Sequence, residues 1–230
     1  YPAILRVPGA GVHAMSGNVA WAAKGVIVLE IGIHGIPVIL DNTLYSDLSK
    51  GVLAHYVLDG IENRDSYFFR RVYLGCVHAV DFLLSLPKSN GKVGVIGDSQ
   101  GGMLSLATSY LDKRISATGV YFPAFCDQEA YMHGRTGGWP HFFKKKDNCK
   151  KEYLETVRYY DGANFARKLT APVYYAFGYN DITCGPTTSS ATYNVISAPK
   201  QVVIGENQGH WLFPEHFNSM WEWMIKELSK

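Results

Sequence analysis

The chain has 230 residues, 47% of them hydrophobic and 18% charged, with a formal net charge of +2. That describes a soluble globular protein long enough for one sizeable core, so a single domain over 1–230 is expected, with no sign of nucleic-acid or anionic-membrane binding. No apolar run approaches the ~18–20 residues of a membrane span, and the cysteines Cys76, Cys126, Cys149 and Cys184 lack the spacing of a zinc site.

In chain order, Tyr1–Val7 reads as a core strand from its first residue. The chain is therefore expected to begin inside the fold, with the natural N-terminus and any export signal upstream, and the compartment is left open between bacterial periplasm and secretion. A loop at Pro8–Gly11 leads to a predicted helix over 13–24 and a strand over 25–30. An irregular stretch follows from Gly32 to Asp65, with helical turns near Leu48–His55. Phe69, Val72, Tyr73, Cys76, Ala79, Val80, Leu83 and Leu84 repeat at three- and four-residue intervals, which predicts an amphipathic helix over 66–86 ending at Pro87. The strand Val93–Ile96 and its helix come next, then a strand over 117–122. From about 123 to 164 the rhythm breaks, with aromatics, Gly137-Gly138 and the lysines Lys144, Lys145, Lys146, Lys150 and Lys151, which read as a solvated loop. This stretch is expected to be an inserted lid, and a disulfide between Cys126 and Cys149, which bracket most of it, is left open. Strands at Pro172–Phe177 and Gln201–Ile204 and a helix over 214–228 close the chain. The alternation predicts an α/β class with a mostly parallel sheet and helices on both faces.

The chemistry concentrates in Gly97-Asp98-Ser99-Gln100-Gly101-Gly102. A serine with glycines two residues to either side, between a strand and a helix, fits the G-x-S-x-G nucleophile elbow. The flanking glycines keep side chains away from a serine in strained backbone, and the Gln100 N–H then faces a developing oxyanion at the helix N-terminus. A serine hydroxyl needs a base and an orienting carboxylate. In the α/β-hydrolase order these follow as acid and then histidine, each on a loop after a strand. Asp181 follows the strand at 172–177 and His210 the strand at 201–204, so Ser99, His210 and Asp181 form the candidate triad. A turn or helix-capping role for Asp181 is the bland alternative, and Glu206 is the reserve acid. The remaining histidines precede the elbow, lie on helical patterns or fall in the insertion.

A reading of another class fits locally. Gly9-Ala10-Gly11-Val12-His13-Ala14 matches G-x-G-x-x-A, and Glu30 closes the next strand where a ribose-binding acid would sit, as in an NAD-dependent oxidoreductase. The hydrolase reading assigns the same loop a different task, the second oxyanion N–H. It accounts for the loop, the elbow, Asp181 and His210 together.

The chain resembles the acetyl xylan esterase and cephalosporin C deacetylase family of α/β-hydrolases. The resemblance is carried by Tyr67-Phe68-Phe69-Arg70-Arg71-Val72-Tyr73-Leu74, by the elbow in its Gly-x-Ser-Gln-Gly-Gly form, by Asp181-Ile182-Thr183-Cys184-Gly185-Pro186-Thr187-Thr188, by Tyr193-Asn194 and by Gly209-His210. It implies Ser99 as nucleophile, His210 as base, Asp181 as orienter, and the N–H groups of Ala10 and Gln100 as oxyanion hole. The chain departs from the family where Arg-Gly-Gln is usual and His34-Gly35-Ile36 stands, and where Trp211 follows the histidine in place of glutamate. Tyr131–Pro140 is similar to a polysaccharide-degrading bacterial branch. The implied activity is removal of acetyl groups from xylan-type oligosaccharides or other small esters, without metal or organic cofactor. Tyr131, His133 and Trp139 are the candidates for a sugar-facing wall. A feruloyl-type esterase is the alternative within the class, and homo-oligomeric assembly is left open.

Overall fold

The computed structural model describes residues 1–211 and 213–230. Six parallel strands form one sheet in the order β2-β1-β3-β4-β5-β6: β1 Ala3–Val7, β2 Ile27–Glu30, β3 Val93–Asp98, β4 Ile115–Tyr121, β5 Val173–Gly178 and β6 Lys200–Gly205. The inner strands β1, β3, β4 and β5 are almost wholly buried, as expected of a sheet covered on both faces. The order reverses between β1 and β3, so the loops leaving these two neighbours border the crevice where ligands of such sheets bind.

Helices α3 (Phe68–Ser85) and α4 (Gln100–Leu111) pack on one face. The residues of α3 that are buried include Phe69, Val72, Tyr73, Cys76, Ala79, Val80 and Leu83, the stripe expected from its periodicity. On the other face lie α1 (Val19–Ala22) and α8 (Pro214–Leu228), joined by stacking of Trp21 on the fully buried Trp221 at 4.8 Å between ring centroids. Sheet glycines let α8 settle closely: a Cβ on Gly119 would lie 2.8 Å from Met220 Sδ. Further along the chain come α2 (Asn42–Lys50), α5 (Lys151–Tyr160), α6 (Gly162–Ala166) and α7 (Pro186–Asn194).

The structure corrects several expectations. The helix predicted over 13–24 is formed only at Val19–Ala22. Gly11 (φ 119°) and Gly17 (φ 72°) adopt left-handed backbone that a helix cannot contain, and the Asn18 side chain caps the single turn by accepting from Trp21 N. In the stretch from 32 to 65, the helix is α2, capped by Asp41 accepting from Thr43 N, and is followed by a 3-10 turn at Tyr56–Leu58. The stretch 123–164 contains 3-10 turns at Gln128–His133, Phe142–Lys144 and Lys146–Asn148, then α5 and the start of α6. Cys126 and Cys149 are both free thiols, Cys126 buried and Cys149 facing the Phe143 and Lys145 carbonyls. Among the described residues no helix is long and apolar enough to cross a membrane.

Candidate active site

The elbow is built by steric exclusion. Ser99 has φ 55° and ψ −118°, a strained backbone for a residue with a side chain. A Cβ on Gly97 would stand 2.5 Å from the Gly101 carbonyl, and one on Gly101 would overlap the Val7 carbonyl. The strain is held by hydrogen bonds on both sides, Ser99 N–H donating to Tyr121 O at 3.0 Å and Ala124 N–H to Ser99 O at 2.9 Å. The start of α4 is thereby fixed against the ends of both β1 and β4.

Asp181 and His210 arrive on the loops after β5 and β6. The two loops are tied together by Asn180 N–H donating to Gln208 O at 2.9 Å and Tyr179 N–H to Gly205 O at 3.0 Å. His210 Nε2 is 3.0 Å from Ser99 Oγ and His210 Nδ1 is 2.8 Å from Asp181 Oδ2. The Asp181 side chain is fully buried, whereas 27% of the His210 side chain is exposed. Asp181 Oδ1 accepts from Thr183 N–H and Cys184 N–H, both at 2.8 Å, leaving Oδ2 for the imidazole. It does not cap α7, whose N-cap is Gly185. Phe122 packs its ring 4.5 Å from the imidazole centroid, a contact with no signature in the sequence. Cys184 lies beside Ser99, but burial pushes its thiol up, so it stays protonated and no rival nucleophile. The reserve acid Glu206 is exposed, and its backbone carbonyl accepts from Asn180 Nδ2.

A cavity of about 410 Å³ opens over Ser99, lined by Pro8, Gly9, Ala10, Trp139, Thr183 and His210 among others. Of the three aromatic candidates for a sugar-facing wall, Trp139 borders this cavity. Tyr131 turns away, with its hydroxyl 2.9 Å from His141 Nδ1, and His133 is exposed at the end of a 3-10 turn; neither lines the cavity. A larger cavity of about 870 Å³, bordered by Arg64, Arg70, Tyr110 and Tyr159, contains none of the triad residues.

The loop Gly9–Gly11 is held by side chains from three other parts of the chain. Gln100, fully buried, donates from Nε2 to Gly9 O at 3.1 Å. Tyr56 Oη accepts from Gly11 N–H at 3.0 Å and donates to Gln100 Oε1 at 2.9 Å. His34 Nε2 lies 2.8 Å from Gly11 O. Gly11 is followed by irregular chain, so no helix opens from this loop to receive a pyrophosphate as a dinucleotide fold requires. Glu30 is taken up by Arg6 Nη1 at 2.9 Å and by Gly17 N–H at 3.0 Å. The dinucleotide reading thus loses both of its supports. Among the described residues no group of three or more histidines, cysteines or carboxylates is gathered to hold a metal ion.

A parallel sheet whose third strand ends in a serine elbow, with an acid after the fifth and a histidine after the sixth, defines an α/β-hydrolase. The chain matches the acetyl xylan esterase (AXE1) family over residues 1–227 and belongs to that family of carboxylic ester hydrolases. It is 40% identical over 238 residues to the acetyl esterase Axe7A of Xylanibacter ruminicola, covering 99% of this chain and 53% of that protein. The chain therefore spans about half the length of this curated relative. The solved acetyl xylan esterase from Paenibacillus sp. R4 superposes with a TM-score of 0.82 at 28% identity, covering 98% of this chain and 74% of that one. Acetyl xylan esterase 1 from Thermoanaerobacterium sp. JW/SL YS485 shares the fold, with a TM-score of 0.80 at 21% identity over 99% of this chain and 75% of that one.

Proposed function

We propose that the chain is the catalytic domain of a serine esterase that removes acetyl groups from xylan-type oligosaccharides, with residues 123–164 as its lid. The observation that carries this reading is the relay Asp181–His210–Ser99, joined at 2.8 and 3.0 Å and seated on a strained elbow. In this reading His210 Nε2 takes the Ser99 proton as Oγ attacks the ester carbonyl. The N–H groups of Ala10 and Gln100 hold the tetrahedral oxyanion, and one such donor is typically worth about 3 kcal/mol. His210 then gives its proton to the departing sugar oxygen, which leaves an acetyl group on Ser99. Water, deprotonated by His210, attacks that acetyl-enzyme by the reverse route and releases acetate. Asp181 holds the Nδ1–H tautomer throughout. The family membership and the name of the acetyl esterase Axe7A support an acetyl group as the acyl part.

The experiment is acetate release from acetylated xylo-oligosaccharides by wild type and Ser99→Ala, with p-nitrophenyl acetate, p-nitrophenyl butyrate and methyl ferulate alongside. Acetate release that needs Ser99, with little turnover of butyrate or ferulate, is the expected result. Preferred ferulate turnover would move the substrate to bulky acyl groups, and wild-type rates in Ser99→Ala would remove the serine from its role.

A further inference from the structure

Three consecutive peptide units run through the Gly9–Gly11 loop, and each is gripped by a different side chain. A trans peptide is planar, with its C=O and N–H pointing in opposite directions, so fixing one group aims the other. Gln100 Nε2 on Gly9 O therefore aims the Ala10 N–H away from Gln100. Tyr56 Oη on Gly11 N–H fixes the next unit, and His34 Nε2 on Gly11 O fixes the third.

The direction of every hydrogen bond in this chain of contacts is determined. An amide N–H can only donate, so Tyr56 Oη accepts from Gly11 and must give its own proton to Gln100 Oε1. The Gln100 amide is thereby oriented with Nε2 toward Gly9. His34 faces a carbonyl, so its proton sits on Nε2. Its Nδ1 is buried without a partner among the described residues, and burial holds the imidazole below its usual pKa range. His34 is thus a neutral donor, its ring edge-on to Tyr56 at 4.6 Å between centroids, and Tyr56 in turn packs on Phe68 at 5.1 Å. These contacts lie 23 to 91 residues apart in sequence and converge on a loop in which Gly11 has a φ of 119° that other residues rarely adopt. Nothing else in the loop's own sequence would hold it still, and an oxyanion donor is effective only when it is pre-positioned.

We propose that Tyr56 and His34 are positioning residues for the reaction: with the Gln100 side chain they lock the three peptide units so that the Ala10 N–H faces the cavity over Ser99. This rests on the hydrolase reading above. His34 holds the third unit as a neutral ring rather than as a charge.

The test is the rate at which a fluorophosphonate labels Ser99 in the intact chain, a reaction independent of sugar and acyl group. Ser99 Oγ bonds to phosphorus, fluoride leaves, His210 takes the proton, and the phosphoryl oxygen occupies the oxyanion position. Tyr56→Phe and His34→Ala are expected to label about 10- to 100-fold more slowly than wild type. With p-nitrophenyl acetate, kcat should fall to match while KM is unchanged. His34→Gln, whose amide can reach the Gly11 carbonyl, should restore most of the rate, which a merely structural role would not require. Tyr56→Phe removes one oxygen and keeps the ring against His34 and Phe68, so it tests the proposal in a folded protein even where His34→Ala unfolds. Wild-type labelling rates in folded Tyr56→Phe and His34→Ala overturn the inference and leave the hydrolase reading standing. Wild type that is not labelled at Ser99 overturns both.

Discussion

Asp181 Oδ2 accepts the Nδ1–H of His210 at 2.8 Å from a position with no solvent exposure of its own side chain. Its other oxygen is filled by two backbone N–H groups, so the carboxylate cannot rotate away from the imidazole. In Asp181→Asn the Thr183 and Cys184 donors hold the amide oxygen, which turns the NH₂ toward His210. The imidazole then presents a lone pair at Nδ1 and carries its proton on Nε2, facing Ser99. The expected outcome is a fall in kcat of about 10⁴-fold with little change in KM, read with p-nitrophenyl acetate. Glu206→Gln should leave kcat near wild type; the reverse ranking would move the acid to Glu206.

Gly101→Ala places a methyl group on the Val7 carbonyl, with Pro8 C and O next at 3.1 Å. Neither is the end of a flexible side chain, so α4 must shift away from β1. A destabilisation of about 1–3 kcal/mol is expected from overpacking of this kind. Activity should fall further than stability, because the Gln100 N–H moves with the helix. Thermal denaturation and kcat on the same preparation separate the two effects.

Trp139 borders the Ser99 cavity and packs edge-on against Phe125 at 5.2 Å between ring centroids. Trp139→Ala enlarges the cavity beside the nucleophile. Turnover of p-nitrophenyl butyrate relative to acetate should rise by about 10-fold, the scale on which pockets discriminate a methylene or two. An unchanged ratio would assign the acyl limit to another wall.

Asp161 is buried and accepts three backbone N–H bonds, from Asp127, Gln128 and Ala163, each at 2.9 Å. Burial outweighs these donors and pushes its carboxyl up to about 6. A carboxyl raised in the folded state favours the fold in its protonated form. Its contribution is therefore complete below the ordinary carboxyl range near 4 and is lost as pH rises through about 6, a change of about 3 kcal/mol. The stability difference between wild type and Asp161→Asn, measured by denaturant unfolding from pH 4 to 7, should shrink by that amount. A difference independent of pH would show that Asp161 is not raised.

Much of this molecule was legible in its residues because the decisive signals are local. Ser99 is announced by glycines two residues away, the buried stripe of α3 by its spacing, and Asp181 and His210 by the apolar strands before them. The failures have physical causes as definite as the successes. The apolar residues around Trp21 have helical spacing, but the left-handed backbone at Gly11 and Gly17 and the cap at Asn18 reduce the helix to one turn. Tyr131 and His133 are candidates for a sugar-facing wall because flat rings suit sugar faces, yet a 3-10 turn directs Tyr131 to His141 and neither residue borders the Ser99 cavity. The tasks of Tyr56 and His34 depend on contacts with Gly11 that no window of sequence contains. The one available hint was His34-Gly35-Ile36 standing where the resembled family differs.

Ser99, Asp181 and His210 all leave the carboxyl ends of strands, whereas Lys88, Lys92 and Lys113 are exposed in the loops that enter the opposite edge of the sheet. A tether at those lysines would orient the molecule on a solid support with its mouth turned outward. A polymer too large to diffuse into a matrix could then still reach an immobilised layer of this protein.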